Sequence, residues 1–215
     1  MSTANWTPHV MATYNRLPVA FVRGSGAYLY DENGRAYLDF TSGIGVTILG
    51  HAHPMVTEAI REQAGMLLHC SNLYRIPEQA ALAEELCRLS QMDQVFFANS
   101  GAEANEAAIK LARRYAQSIN PERFEILTLL DSFHGRTFAA LSATGQVKYQ
   151  KGFGPLVPGF RHLPLDLAAF EQAMGPQVAA MLVEPVQGEG GVLPLPVEFL
   201  RGLRQLCDQY GALLI

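Results

Sequence analysis

The feature that most constrains this chain is an alternation. Short apolar runs at Val95–Ala98, Phe124–Leu130 and Ala179–Val183 are separated by stretches whose apolar residues recur at helical spacing. Continuous apolar strands are buried on both faces, and intervening helices are the crossovers that parallel strands need. The chain from about residue 54 onward therefore reads as an α/β domain with a mostly parallel sheet and flanking helices. Helices are predicted from about Ala102 to Gln117 and over Pro196–Tyr210, the latter with Phe199, Leu203, Leu206 and Tyr210 on its core side. Gly211 suits the position just past that helix, with a last strand in Gly211–Ile215. Two earlier helices are predicted to begin at Pro54 and Pro77. Val56, Ile60, Gln63 and Leu67 mark one face of the first, and Leu82, Leu86 and Leu89 form the stripe of the second.

Before residue 54 the texture differs. Val19–Arg23, Ala27–Tyr30 and Ala36–Phe40 are strand-like, and the Asn33-Gly34 pair between them predicts a hairpin with a type I′ turn. The expected organisation is a small antiparallel β segment over residues 1–48, followed by part of a large α/β domain over residues 49–215.

Composition narrows the class. With 49% hydrophobic and 17% charged residues among 215, the chain can bury a sizeable core. Sixteen Lys+Arg against 20 Asp+Glu, a net charge of −4, and no long basic run argue against nucleic acid as a partner. The longest apolar runs, such as Val178–Val183, fall far short of the roughly 18–20 residues of a spanning helix, so no membrane association is expected. The first twenty residues lack a basic region followed by an apolar one, and Cys70, Cys87 and Cys207 are odd in number and widely spaced. Together these suggest reduced thiols and a cytoplasmic protein. The chain stops at Ile215 inside an apolar run, which reads as the interior of a longer chain, since natural termini tend to be polar and exposed.

Three stretches could carry chemistry. In Phe97-Ala-Asn-Ser100-Gly101-Ala102-Glu103-Ala-Asn-Glu106, Ser-Gly-Ala lies where a strand is predicted to turn into a helix. The free N–H groups of a helix N-terminus suit a phosphate, and Gly101 lets an anion approach the backbone. Ser100 and Glu103 equally make a capping box. In Asp131-Ser-Phe133-His134-Gly135-Arg136-Thr137, Phe133 could stack on a flat ring and Arg136 could grip a carboxylate, or these could be a core Phe, a turn Gly and a solvated Arg. In Glu184-Pro-Val-Gln187-Gly-Glu-Gly-Gly191, a carboxylate and an amide follow a strand on the edge where open α/β sheets bind ligands. Two weaker signals complete the set. His51-Ala-His53 lacks a third ligand at matching spacing, so no metal site is expected. Ser100 lacks the Gly-x-Ser-x-Gly elbow of a hydrolase nucleophile. All three stretches are expected on one edge of one sheet, where they would suit a phosphorylated aromatic cofactor and an amino-acid substrate.

Seven segments in order carry a family resemblance: residues 11–22, Tyr37–Val46, Leu49–Pro54, Ser71–Tyr74, Asn99–Lys110, Phe133–Thr137 and Glu184–Gly191. With them the chain resembles the subgroup III, fold-type-I pyridoxal-phosphate aminotransferases, most closely the acetylornithine aminotransferase family. The resemblance implies pyridoxal 5'-phosphate as cofactor, held at its phosphate by Ser100, Gly101 and Ala102 and stacked on by Phe133. It implies that Arg136 binds the α-carboxylate of N2-acetylornithine, with Glu184 and Gln187 on the substrate pocket. It further implies 2-oxoglutarate as amino acceptor, glutamate as product, a place in arginine biosynthesis, and a homodimer. Related families use succinylornithine, succinyl-diaminopimelate, ornithine or 4-aminobutyrate. The family's covalent anchor, a lysine, and the aspartate at the pyridine nitrogen are not matched by any residue here. Lys148 and Lys151 sit in a different context, so no catalytic residue is assigned within these 215 and the segment alone is expected to be inactive.

Overall fold

A computed structural model describes residues 9–215. The contacts divide the chain after Leu82 into two compact units. The first eight residues, part of the stretch read for a leader and of the 1–48 segment, lie outside the described residues.

In the first unit, β1 (Phe21–Ser25), β2 (Tyr28–Asp31) and β3 (Ala36–Leu38) form an antiparallel sheet in that order. Four residues, Glu32 to Arg35, connect β2 to β3, and they do not form the expected type I′ turn. Gly34 N–H donates to the Asp31 carbonyl at 3.0 Å, and Gly34, with φ +78°, is the one loop residue in the left-handed region. The cause is Asp31, whose carboxylate accepts from the amides of Asn33 and Arg35, each at 2.9 Å. Those bonds favour a type I turn ending in a left-handed glycine. A single turn, α1 (Ser42–Gly45), follows, with positive φ through all four residues. Asp39 steadies it, accepting from Thr41 and Ser42 amides and from the Thr41 hydroxyl. The same carboxylate meets His51 Nε2 at 2.7 Å. His51 is thus engaged within the fold, and among the described residues no cluster of three metal-ligating side chains occurs. Two helices complete this part, α2 (Pro54–Met66) and α3 (Pro77–Ser90), the latter running across the division. Both prolines open helices as predicted. Neither helix has a buried residue, and Val56, Ile60, Leu67, Leu82, Leu86 and Leu89 are exposed.

After the end of α3, the second unit continues with α4 (Gly101–Ile119), β4 (Glu125–Leu129), α5 (Phe138–Ala143), α6 (Val147–Gln150) and β5 (Phe160–Leu163). It continues through α7 (Leu167–Ala173), β6 (Val178–Leu182), the short pair β7 (Val186–Gln187) and β8 (Leu193–Pro194), α8 (Val197–Tyr210) and β9 (Leu213–Leu214). The main sheet has the order β5-β4-β6-β9, and every neighbouring pair is parallel. The α/β expectation holds. β4 is buried from Ile126 to Leu129 and β6 along its whole length, as strands covered on both faces should be.

Two clusters of buried side chains flank the sheet. One packs α7 and α8 against it through Phe170, Phe199, Leu203 and Leu206; Phe170 and Phe199 meet edge to face at 5.6 Å. The other packs Ile109 and Ala112 of α4 and Ala139 and Ala143 of α5 against Ile126, Ala180 and Leu182. Each fully buried Leu, Ile or Phe contributes about 1.5–3 kcal/mol. Tyr210 departs from expectation: it is exposed, and Cys207 and Ala212 fill the core at that level. Gly211, with φ +63°, ends α8 as anticipated. Val95–Ala98 departs further. It forms no strand, because no strand among the described residues pairs with it, and Phe96 is 73% exposed.

Candidate functional site

The sequence-predicted site residues of the second unit fall on three segments: the first turn of α4, the loop after β4 and the loop after β6. Ser100 is its N-cap with extended backbone, and its Oγ accepts from the Glu103 amide at 3.2 Å. Glu103 returns a carboxylate oxygen to the Asn99 amide at 2.8 Å. The capping reading of Ser100 is therefore realised, with its hydroxyl engaged by Glu103. Capping does not use up the helix end. The Ser100 carbonyl takes the Ala104 amide, which leaves the Gly101 and Ala102 N–H groups without an intrahelical acceptor. A Cβ at Gly101 would meet no atom within 4 Å, so the helix start is open on the side where a side chain at Gly101 would lie.

The loop after β4 is pressed onto this turn. Gly135 adopts φ +131°, and a Cβ there would lie 2.8 Å from Ala102 Cβ and 3.0 Å from Ala140 Cβ. Only a residue without a side chain permits that approach. The inner side of the loop is a buried polar network. The His134 amide donates to Thr144 Oγ1 at 2.9 Å, Ser132 Oγ accepts from the Gly145 amide at 3.0 Å, and Gln146 Nε2 reaches the Asp131 carbonyl at 3.1 Å. His134 is 4% exposed, and burial, with a contribution from nearby His162, pushes its pKa down to about 4. The imidazole is neutral at physiological pH. Phe133 is half-buried, with its ring edge to face on Tyr149 at 5.4 Å. Arg136 is exposed on the same loop.

The loop after β6 joins them through Glu184. Its carboxylate accepts from the Phe133 amide at 2.9 Å and from the Gly188 amide at 3.4 Å. Burial raises the Glu184 pKa, the two amides pull it back, and the charge of Glu189 adds to the rise. Gln187 is buried, and its Nε2 donates to the Leu130 carbonyl at 3.0 Å, tying the β6 loop to the end of β4. Thus Phe133 and Glu184 lie at the carboxyl ends of β4 and β6, and the Ser100–Ala102 turn is joined to them through Gly135. The expected strand leading into that turn is absent; a helix cap takes its place.

Sequence reasoning passed over two residues of α4 in this assembly. Asn105 Nδ2 donates to the His134 carbonyl at 2.7 Å. Glu106 Oε1 accepts from Thr137 Oγ1 at 2.6 Å and from the amides of Ala139 and Ala140 at 2.9 and 3.1 Å. A signal existed. Asn105 lies four residues before Ile109 on the stripe continued by Ala112 and Ala116, all three buried, so a polar side chain occupies a core-facing position.

The family description Aminotransferase class-III matches residues 10–215. The chain belongs to the class-III aminotransferases. The class-III match includes both the antiparallel sheet and the parallel one. Among curated class-III relatives, the acetylornithine aminotransferase of Gloeobacter violaceus is 54% identical over 209 residues, covering 96% of this chain and 52% of its own length. That of a Nostoc species is 52% identical over 222 residues, covering all of this chain and 52% of its own. The crystal structure of the ornithine aminotransferase from Toxoplasma gondii superposes with a TM-score of 0.90 at 34% identity, over 96% of this chain and 50% of that one. The N-acetylornithine aminotransferase from Stenotrophomonas maltophilia gives 0.76 at 41% identity, over 91% and 49%. The chain thus spans about half the length of the curated relatives it matches. Among the described residues no helix is long and apolar enough to cross a membrane.

Proposed function

We propose that the protein is a pyridoxal 5'-phosphate-dependent aminotransferase that takes the δ-amino group of N2-acetylornithine and delivers it to 2-oxoglutarate. The observation that carries this reading is the convergence of three groups in one unit: unpaired first-turn amides, the Phe133 ring, and the Glu184 carboxylate bridging the two strand-end loops. The names of the curated relatives supply the substrate. The residues fit the cofactor. The Gly101 and Ala102 amides, which have no acceptor within the helix, would hold the phosphate with the Ser100 cap beside them, and Phe133 would lie on the ring face. When bound, the cofactor supplies the conjugated ring that carries the amino group between donor and acceptor.

The chain's own work is binding and orientation. Arg136 would take the donor's α-carboxylate through a two-point contact. Glu184, with its raised pKa, fixes the peptide that presents Phe133. Gln187 shapes the pocket edge by holding the β6 loop on Leu130. Lys110, Lys148 and Lys151, the three lysines of the sequence, are exposed, and none stands in the context that the family resemblance gives the covalent anchor, so that anchor is assigned to a lysine outside these 215 residues. A homodimer in the cytoplasm, serving arginine biosynthesis, completes the proposal.

The test is glutamate formation by the protein supplied with pyridoxal 5'-phosphate, 2-oxoglutarate and a panel of donors. N2-acetylornithine should be fastest, and Arg136→Ala should raise KM for every donor bearing an α-carboxylate. A fastest donor without an α-carboxylate, such as 4-aminobutyrate, would remove the role given to Arg136.

A further inference from the structure

We infer that Asn105 and Glu106 are positioning residues that set the Phe133–Arg136 loop in register with the phosphate-binding turn of the same helix. The inference rests on the cofactor reading above and adds what holds its two halves together. A ring with a phosphate at one side can be gripped at both only if the two protein groups keep a fixed separation. Here both groups are referred to one rigid element. The Ser100–Ala102 turn and the Asn105–Glu106 pair lie on α4, and four residues of helix from Ala102 to Glu106 span about 6 Å.

The loop is attached to that element on both sides of Arg136. Ahead of it, Asn105 holds the His134 carbonyl at 2.7 Å, and Gly135 rests on Ala102 with no room for a Cβ. Behind it, one Glu106 oxygen gathers the Thr137 hydroxyl and two amides at the start of α5. A helix as short as α5 has no side-chain cap of its own, because Thr137 makes no capping bond. Glu106 supplies the acceptor from another helix, and the negative charge suits the positive end of α5. The bonds from Asn105 and Glu106 cross 29 to 34 residues of sequence, so neither is incidental local geometry. Arg136 is thereby fixed between two anchored points, and Phe133 is one residue from the first.

The role separates from mere stabilisation by a ratio. Affinity for inorganic phosphate reports the turn alone, whereas affinity for pyridoxamine 5'-phosphate, which needs no lysine, reports the turn and the ring-binding loop together. Both are measured by calorimetry on the protein and on Glu106→Gln, Asn105→Ala and the milder Thr137→Val, with melting temperatures recorded alongside. In Glu106→Gln the phosphate constant should stay within twofold, while the pyridoxamine 5'-phosphate constant weakens on the order of tenfold to a hundredfold, as expected for displaced binding groups. Glu106→Asp should recover part of the loss, and Thr137→Val, which keeps its fold, should show a smaller loss in the same direction. If both ligands weaken equally, or if the melting temperature falls while the ratio holds, the residues only stabilise α5 and the positioning role is wrong. If the unaltered protein binds neither ligand, the cofactor reading itself fails, and the positioning role falls with it.

Discussion

Replacing Gly135 by alanine tests whether the loop and the helix are packed as closely as the structure shows. Two costs arise together. The residue must hold φ +131°, a backbone state that L side chains rarely adopt; strain of that kind costs about 1–3 kcal/mol. The new methyl group would also start 2.8 Å from Ala102 Cβ and 3.0 Å from Ala140 Cβ, two backbone-anchored atoms that cannot swing aside. Overpacking of this type costs about 1–3 kcal/mol more. The sum, about 2–6 kcal/mol, should lower the urea midpoint by roughly 1–3 M at slopes usual for proteins of this size. The assay is urea unfolding followed by far-ultraviolet circular dichroism, with Gly101→Ala as comparison. A Cβ at Gly101 meets nothing within 4 Å, so that variant should unfold at or slightly above the parent midpoint. It should nevertheless bind phosphate more weakly, because the methyl group occupies the space the anion needs. Gly135→Ala unfolding within 0.5 M of the parent, on the order of 1 kcal/mol, would refute the close approach. Unchanged phosphate affinity in Gly101→Ala would refute the place given to the anion.

Other outcomes follow from buried titratable groups. His134 has its pKa lowered by burial to about 4 from 6.5, so the unfolded chain binds the proton more readily than the folded one. Stability should be complete above pH 6.5 and fall as pH drops toward 4, by up to about 3 kcal/mol. Urea midpoints at pH 7.5 and 5 measure this, and a His134→Gln chain should lose much of the difference. Glu184 has its pKa raised, chiefly by burial, so its charged form is disfavoured in the fold. Glu184→Gln, which keeps an acceptor for the Phe133 amide, should shift stability by less than about 1 kcal/mol at pH 7, toward the folded state. Cys207 is buried, with its thiol pushed up to about 11. A disulfide reagent at pH 8 should modify it only after unfolding, and earlier labelling would contradict its core placement.

The fold was legible wherever periodicity and burial agree. Phe124–Leu130 and Ala179–Val183 were readable as strands because both faces are covered, which makes the whole run apolar. The Pro54, Pro77 and Gly211 boundaries were readable because proline and glycine act locally. β5 escaped notice because Phe160-Arg-His-Leu163, at the sheet edge, carries two polar residues in its middle and lacks that continuous signature. Val95–Ala98 failed in the opposite sense: an apolar run proposes a strand, but only a neighbouring backbone makes one. On α2 and α3 the spacing identified an apolar face, yet spacing carries no information about what, if anything, lies against it. Tyr210 shows the same limit at a helix end, where the stripe continues past the level at which the core closes.

The site was legible one group at a time, and its assembly was not. Ser100, Phe133 and Glu184 stand in short motifs whose chemistry can be read from residue type. What joins them is made of bonds that no motif displays: the Glu184 carboxylate on the Phe133 amide, Gln187 on the Leu130 carbonyl, Asn105 on the His134 carbonyl. Each links a side chain to a backbone group at least 29 residues away, and backbone groups have no sequence signature. The trace such bonds do leave is a polar residue where the local period calls for an apolar one. Asn105 on the buried stripe of α4 and Gln187 beside the β6 strand end are of that kind. A side chain that breaks the pattern in a core-facing position must find a partner or destabilise the fold. For this chain the partner in each case is the free carbonyl of a loop that carries a binding group, so the exceptions to the hydrophobic pattern trace the outline of the site.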